Sequence, residues 1–138
     1  MTAKEYLSRV GYLEKAISYK MKEIDYWKEM AKSMTAHGME EHYNPNRPQD
    51  ATFTRCFEMI EEIQHEIDEK TAELITLRRE IDIRIELLQS FEEQLVLRYR
   101  YLESMNWRQV ERVMHVSRAT MFKIHGRALA HFAVPSES

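Results

Sequence analysis

Apolar residues recur every seven positions along the first quarter of the chain. One set occupies the first heptad position and another lies three residues later, as in the seam of a coiled coil. The first set is Ala3, Val10, Ile17, Ile24 and Ala31, and the second is Tyr6, Leu13, Lys20, Trp27 and Met34, which only the charged Lys20 interrupts. Thr2 and Glu5 have the spacing of a capping box. The pattern predicts one long helix over residues 1–36.

Three tyrosines form a second stripe on this predicted helix. Tyr12, Tyr19 and Tyr26 also repeat every seven residues, but they lie well around the helix from the seam. Two interpretations remain open. The stripe covers a neighbouring helix of the same fold, or it is a surface for self-association or for a partner.

The helical period disappears between residues 37 and 50, where Gly38, Pro45 and Pro48 interrupt it. We interpret this segment as the loop of a helical hairpin. It contains four residues that are able to bind metals, but their spacing matches no known ligand pattern, so we predict neither a metal nor a cofactor. These four residues are His37, Glu40, Glu41 and His42.

A second long helix is predicted over residues 51–89, with Asp50 as a candidate cap. Its first heptad position is apolar throughout: Phe53, Ile60, Ile67, Leu74, Ile81 and Leu88. The position three residues later is mixed: Cys56, Ile63, Lys70, Leu77, Arg84 and Phe91. Because Ile83, Ile85 and Leu87 widen the apolar surface, we expect this end of the helix to be buried on several sides. Such a hairpin has little core of its own, which favours a homo-oligomer, with a dimer preferred.

Three shorter helices are predicted over residues 90–134, followed by a tail at 135–138. Ser90 with Glu93, then Asn106, then Ser117 are the expected caps, and His115 and Val116 form the last turn. The positions expected to face a core are Phe91, Leu95 and Leu102, flanked by Val96 and Tyr99, then Trp107, Val110, Val113, Met114, Met121, Ile124, Ala128, Leu129 and Phe132, and Pro135 ends the last helix. This pattern is typical of a helix-turn-helix. The predicted fold is therefore all-α, a long antiparallel hairpin followed by a three-helix bundle.

Composition supports this class, because 31% of the 138 residues are charged and only three are Gly and three Pro. The single cysteine, Cys56, lies on an apolar helix face and predicts a buried thiol in a reducing cytoplasm. No segment has the roughly 18 uninterrupted apolar residues of a membrane span. The sequence also shows no Gly-rich phosphate loop and no nucleophile with a recognisable base, so we do not expect an enzyme.

The net charge of −3 is strongly polarised. Between Arg98 and His131 there are seven basic and two acidic residues, a net charge of +5 that leaves −8 on the remainder. A basic tip on an acidic body is typical of a protein that meets phosphate at one end only.

The periodicity of the last helix predicts which side chains would contact double-stranded DNA. Because Met121, Ile124 and Ala128 face inward, the intervening side chains face outward. We expect Arg118, Ala119 and Lys123 to contact bases, with guanine as the partner of the two cations and a thymine methyl as that of Ala119. The expected contacts to the DNA backbone are Arg108, Arg112, Ser117, Thr120, Phe122 and Arg127.

Several short motifs resemble region 4 of bacterial sigma factors: Leu97-Arg98-Tyr99, Trp107, Val110, Met114-His115-Val116-Ser117 and Arg127-Ala128-Leu129. With the Tyr43-Asn44-Pro45-Asn46-Arg47-Pro48 segment and the acidic helix, the chain resembles small sigma-like phage and prophage proteins related to the ArpU and RinA late transcription regulators. The resemblance implies a regulator in a bacterial host cytoplasm that reads a promoter element and contacts RNA polymerase. Arg118, Ala119 and Lys123 match its base-contacting positions, and Ser117 matches its cap.

Two positions depart from the sigma-like pattern: Glu111 replaces a small residue packed between helices, and His115 replaces the turn glycine. Gly126 falls inside the third helix and is expected to bend or loosen it. No segment for recognising the −10 promoter element is visible. Two other functions stay open, a small terminase-type subunit for DNA packaging and a coiled-coil adaptor that binds protein.

Overall fold

The computed structural model describes residues 1–35 and 48–136, with side chains for 1–34 and 51–136. Within these ranges the chain is all-α, as predicted, and no strand occurs. The helices are α1 (Ala3–Thr35), α2 (Pro48–Glu86), α3 (Phe91–Leu97), α4 (Trp107–Met114) and α5 (Arg118–His131), and a π-helical turn at Arg98–Leu102 extends α3.

The first helix begins at the predicted capping box. The Glu5 amide donates to Thr2 Oγ1 at 3.1 Å, and the Thr2 amide donates to a Glu5 carboxylate oxygen at 3.3 Å. Two backbone donors that the helix itself leaves unpaired are thereby satisfied.

The second helix begins at Pro48, so the prediction of a start after Asp50 is wrong. Proline suits the first turn, because its fixed φ is already helical and its missing N–H has no helical partner there. Most of the expected loop at 37–50, including the four residues considered as metal ligands, lies outside the described residues.

The chain separates into two compact units, and the division falls inside both long helices. One unit is Lys15–Ala72, where α1 and α2 pair through Ile24, Ile63 and Ile67. The polar seam position Lys20 contacts the carboxylate of Glu66, a hydrogen bond that raises the pKa of Lys20 and lowers that of Glu66. Cys56 is fully buried, as predicted.

The other unit contains Met1–Glu14 and the chain from Glu73 onward. Its core therefore draws on α1 and α2 as well as on the three C-terminal helices, although the sequence suggested a division at residue 90. The buried apolar residues of this core are Tyr6, Leu7, Val10, Leu77, Ile81, Ile85, Leu88, Val96, Leu97, Tyr101, Val110, Met121, Ile124, Ala128 and Phe132.

The end of α2 is buried on one side only, so the expectation of burial on several sides is wrong. Ile81 and Ile85 are buried because their spacing of four residues keeps them on one helix face, and Leu88, just after the helix, is buried too. Ile83 lies across the helix and is 51% exposed, and Leu87, which follows the helix, is 74% exposed.

The third helix turns a different face to the core than predicted. Phe91 is 69% exposed, whereas Val96, Leu97 and Tyr101 are buried. The amide of Glu103 donates to the carbonyl of Arg98 at 2.9 Å, a five-residue closure that sets the facing of the last turn. A π-helical turn leaves no trace in the hydrophobic period, so the burial of Tyr101 within it could not be predicted.

The last helix ends at His131, four residues before the predicted stop at Pro135. Phe132 follows in an extended conformation and is buried, with its ring 6.0 Å from that of Tyr6. Because the Phe132 ring is buried in this core, the chain leaves the helical conformation at Phe132 and not at Pro135.

Candidate nucleic-acid interface

The second helix of the C-terminal bundle, α4, starts at a complete capping box. The Gln109 amide donates to Asn106 Oδ1, and the Asn106 amide donates to Gln109 Oε1, both at 2.9 Å. Val110 is fully buried and anchors α4 to the core. Val113, which was expected to face inward, is 41% exposed, so that prediction is wrong.

The turn between α4 and α5 is made by residues 115–117. His115 adopts the left-handed conformation with φ 56° and ψ 40°. This is the conformation that glycine adopts without steric cost, so the prediction that His115 stands where a turn glycine is usual agrees with the backbone. The imidazole itself is exposed.

The fifth helix begins after Ser117, the predicted cap. Ser117 Oγ accepts a hydrogen bond from the Thr120 amide at 3.2 Å and lies 3.0 Å from Thr120 Oγ1. Since the Met121 amide bonds to the Ser117 carbonyl, the amides left without a partner in this first turn are those of Arg118 and Ala119. They remain available to an anion at the helix start.

The core face of α5 matches the prediction. Met121, Ile124 and Ala128 are essentially fully buried, and His125 is buried beside them. The helix continues through Gly126 to His131 without a break. Gly126 therefore does not end the helix, and the neighbouring His125 and Ala128 are buried in the core.

Every side chain predicted to contact DNA lies at the surface of this helix pair. The exposed set is Arg108, Arg112, Ser117, Arg118, Ala119, Thr120, Phe122, Lys123 and Arg127. Five of these are cations, and the helix start adds unpaired amides. The arrangement therefore brings together on α4 and α5 the residues that the sequence pattern had selected.

Two members of this set have partners within the chain. The Arg118 Nε–H donates to a carboxylate oxygen of Glu111 at 3.3 Å. Phe122 packs edge-on against Trp107, with ring centroids 5.1 Å apart, and keeps 42% of its surface exposed. Both contacts cross from α4 to α5, and a single-helix periodicity could not have found them.

Two arginines that contribute to the basic tip in the sequence serve the bundle instead. Arg98 binds Asp82 at 3.0 Å and Glu86 at 2.6 Å, which joins the end of α3 to α2. The guanidinium of Arg100 lies 4.4 Å from the centroid of the Trp107 ring and donates to the Met105 carbonyl. Of the seven cations between Arg98 and His131, the five on α4 and α5 remain for a ligand.

Beneath the exposed face, His125 fixes α5 to the first part of the bundle. Its Nε2 lies 2.8 Å from the Tyr101 hydroxyl, and the Trp107 ring packs edge-on against it at 4.6 Å. Burial, followed by the charges of Lys4 and Arg100, lowers the pKa of His125 from 6.5 to about 4. The ring is therefore neutral at physiological pH, and its burial supports the helix without a buried charge.

The class that the fold defines is an all-α protein with a C-terminal helix-turn-helix unit whose outer face is cationic. A family profile described as Protein of unknown function (DUF1492) matches residues 44–132. Because this match covers more than half of the chain, the protein belongs to that family. No curated protein and no solved structure matches the chain significantly.

The described residues also limit other kinds of site. Within residues 1–35 and 48–136, no helix is long and apolar enough to cross a membrane. The same part of the chain contains no cluster of three or more His, Cys, Asp or Glu side chains that could hold a metal ion.

Proposed function

We propose that the protein is a sequence-specific DNA-binding transcriptional regulator that places α5 in the major groove of a promoter-type duplex. The carrying observation is the exposed cationic face of α4 and α5. Five exposed cations lie on these two helices, and the opposite face of α5 is buried in the core. A helix of 14 residues is about 21 Å long, which suits insertion into a groove.

The proposed roles follow from side-chain chemistry. Arg118 and Lys123 donate to guanine N7 and O6, and Ala119 contacts a thymine methyl group. Thr120 donates to a phosphate through its hydroxyl, and the free amides after Ser117 bind a second phosphate oxygen. These contacts fix the register of α5 and read the bases from its first two turns.

Sequence-independent affinity comes from the flanking side chains. Arg108 and Arg112 on α4 and Arg127 on α5 neutralise phosphates, and Phe122 packs against the sugar-phosphate backbone. The net charge of −8 outside residues 98–131 repels DNA and restricts binding to this end of the sequence.

A phage or prophage regulator that also contacts RNA polymerase is the biological setting that the sigma-like motifs support. Self-association, with a homodimer favoured, is supported by the exposed tyrosines of α1. Tyr12, Tyr19 and Tyr26 are 69%, 66% and 57% exposed, so no described helix of the same chain covers them. Large uncovered aromatic side chains are typical of contacts between chains.

The test combines solution mass, site selection and salt titration on the purified protein. We expect a dimer that enriches one duplex sequence from a random pool and whose affinity falls steeply with salt. For about three to five phosphate contacts per chain, log K should fall with log salt at a slope of roughly −3 to −5 per bound chain. Rings of eight or more chains would favour the packaging function, and affinity without salt dependence would overturn the proposal.

A protein-binding adaptor is the second candidate, favoured by a different observation. Ile83, Leu87 and Phe91 expose 51%, 74% and 69% of their surfaces near the end of α2. Exposed apolar side chains in such numbers are typical of surfaces that meet another protein. Absence of any duplex binding, together with a partner that is lost on Leu87→Glu substitution, would favour this function.

A further inference from the structure

The contact between Glu111 and Arg118 places a carboxylate inside the cationic face. Glu111 lies on α4 and its side chain is 29% exposed, whereas Arg118 begins α5 and its side chain is 59% exposed. Both line a shallow cleft together with Arg108, Arg112, His115 and Val116. A negative charge among three arginines weakens the attraction of this face for phosphate. Glu111 therefore needs a role in DNA binding other than adding affinity.

The way in which Glu111 binds the guanidinium of Arg118 indicates this role. Only the Nε–H of Arg118 is used by Glu111, and in the described part of the chain neither Nη1 nor Nη2 has a hydrogen-bond partner. Arginine reads guanine by donating two parallel hydrogen bonds to N7 and O6. With Nε occupied, the end-on pair of Nη donors remains, and the bound carboxylate removes much of the rotational freedom of this long side chain.

We infer that Glu111 is a positioning residue for base readout. Its carboxylate holds Arg118 so that the two terminal nitrogens meet one guanine edge, and it thereby increases selectivity at the expense of total affinity for DNA. This inference rests on the proposed function and names the residue that determines its specificity.

The two effects of Glu111 are separable by substitution. Glu111→Ala removes both the charge and the hydrogen bond. Glu111→Gln removes the charge and keeps an amide oxygen that accepts from Nε. Both variants lose the repulsion between the Glu111 carboxylate and DNA phosphates, but only Glu111→Ala loses the hydrogen bond that holds Arg118.

The experiment measures Kd for two duplexes of equal length, one enriched from a random pool by the wild-type protein and one scrambled, at a fixed salt concentration. We expect both variants to bind the scrambled duplex more tightly than wild type. The ratio of the two Kd values should shrink roughly five- to tenfold in Glu111→Ala, within the discrimination that one bidentate contact provides. Glu111→Gln should keep most of that ratio.

An Arg118→Ala background provides the control for a structural effect. There, Glu111→Ala should leave the ratio unchanged, because no guanidinium remains to be positioned. If Arg118→Ala proves unfolded by circular dichroism, Arg118→Lys replaces it as the background, since lysine keeps the charge but lacks the Nε donor and the planar guanidinium group.

The outcomes distinguish this inference from the proposed function. A wild-type protein that selects a site while Glu111→Ala keeps the full ratio would overturn the positioning role alone. The same ratio loss in the Arg118→Ala background would also overturn it. A wild-type protein that binds no duplex would overturn the proposed function and this inference together.

Discussion

The Tyr101 hydroxyl and the Nε2 atom of His125 lie 2.8 Å apart in the core beneath the candidate recognition helix. Both residues are buried, and the contact joins the π-helical turn to α5. Because burial also lowers the pKa of His125 to about 4, protonation of this ring opposes the folded state.

The first prediction concerns acid stability. The folded-state pKa of about 4 lies below the ordinary value of 6.5, so the folded state favours the neutral ring. Its contribution to stability is complete above pH 6.5 and is lost as the pH falls toward 4, by about 2–3 kcal/mol. Urea denaturation at pH 7 and at pH 4.5 measures this loss. His125→Gln should reduce the dependence of the unfolding free energy on pH in this window, whereas His115→Gln, at an exposed site, should leave it unchanged. Equal pH dependence in wild type and His125→Gln would show that His125 does not cause the loss.

The second prediction concerns base readout by Arg118. Arg118→Ala should weaken binding to a selected duplex by about 1–3 kcal/mol, with a smaller loss on a scrambled duplex. The reason is that a bidentate contact to guanine carries sequence information, whereas a phosphate contact does not. Fluorescence anisotropy with both duplexes provides the comparison. Equal losses on the two would show that Arg118 binds the backbone instead.

The third prediction concerns the phosphate contacts of α4. Arg112→Ala should weaken binding to all duplexes alike and reduce the magnitude of the salt slope by about 1. Arg79→Ala is the matched control, because this arginine is also exposed but lies on α2 and is not part of the cationic face of α4 and α5. If Arg112→Ala leaves the slope intact, this side chain does not contact DNA.

The fourth prediction separates a structural arginine from the binding cations. Arg98→Ala should lower the free energy of unfolding by about 1–2 kcal/mol, because Asp82 and Glu86 lose a charge-assisted partner and both stay partly exposed. The salt slope of DNA binding should not change. Chemical denaturation and salt titration of the same variant give the two readouts. A smaller salt slope of DNA binding would mean that Arg98 contacts DNA after all.

The fifth prediction concerns Gly126. No atom lies within 4 Å of the Cβ that alanine would add there, and the glycine does not need a positive φ. Gly126→Ala should therefore stabilise the protein by about 0.5–1 kcal/mol through helix propensity. Gly11→Ala in α1 has equally open space and serves as a second example. A fall in melting temperature would mean that the helix needs the freedom of this glycine.

Much of the fold follows from local patterns in the sequence. The seven-residue repeat identifies both long helices, and the caps Thr2, Asn106 and Ser117 mark helix starts because each satisfies donors within four residues of itself. The exposed face of α5 follows from the helical period alone. All nine predicted contact residues are exposed for the same reason.

The errors arise where the answer depends on distant parts of the chain. Arg98 counts as a tip cation in the sequence, but its partner Asp82 is 16 residues away on another helix. The burial of Tyr101 depends on a π-helical turn that no periodicity reveals. The pairing of Glu111 with Arg118 depends on the angle that His115 sets between two helices.

The inclusion of Met1–Glu14 in the C-terminal unit affects how the protein folds. During synthesis, Tyr6, Leu7 and Val10 leave the ribosome well before Phe132, which belongs to the same core. Closing so large a sequence separation is entropically costly and slows folding. The nascent first turns of α1 therefore expose apolar surface until Phe132 has been synthesised, and a fragment cut at residue 90 would lose the same partners permanently.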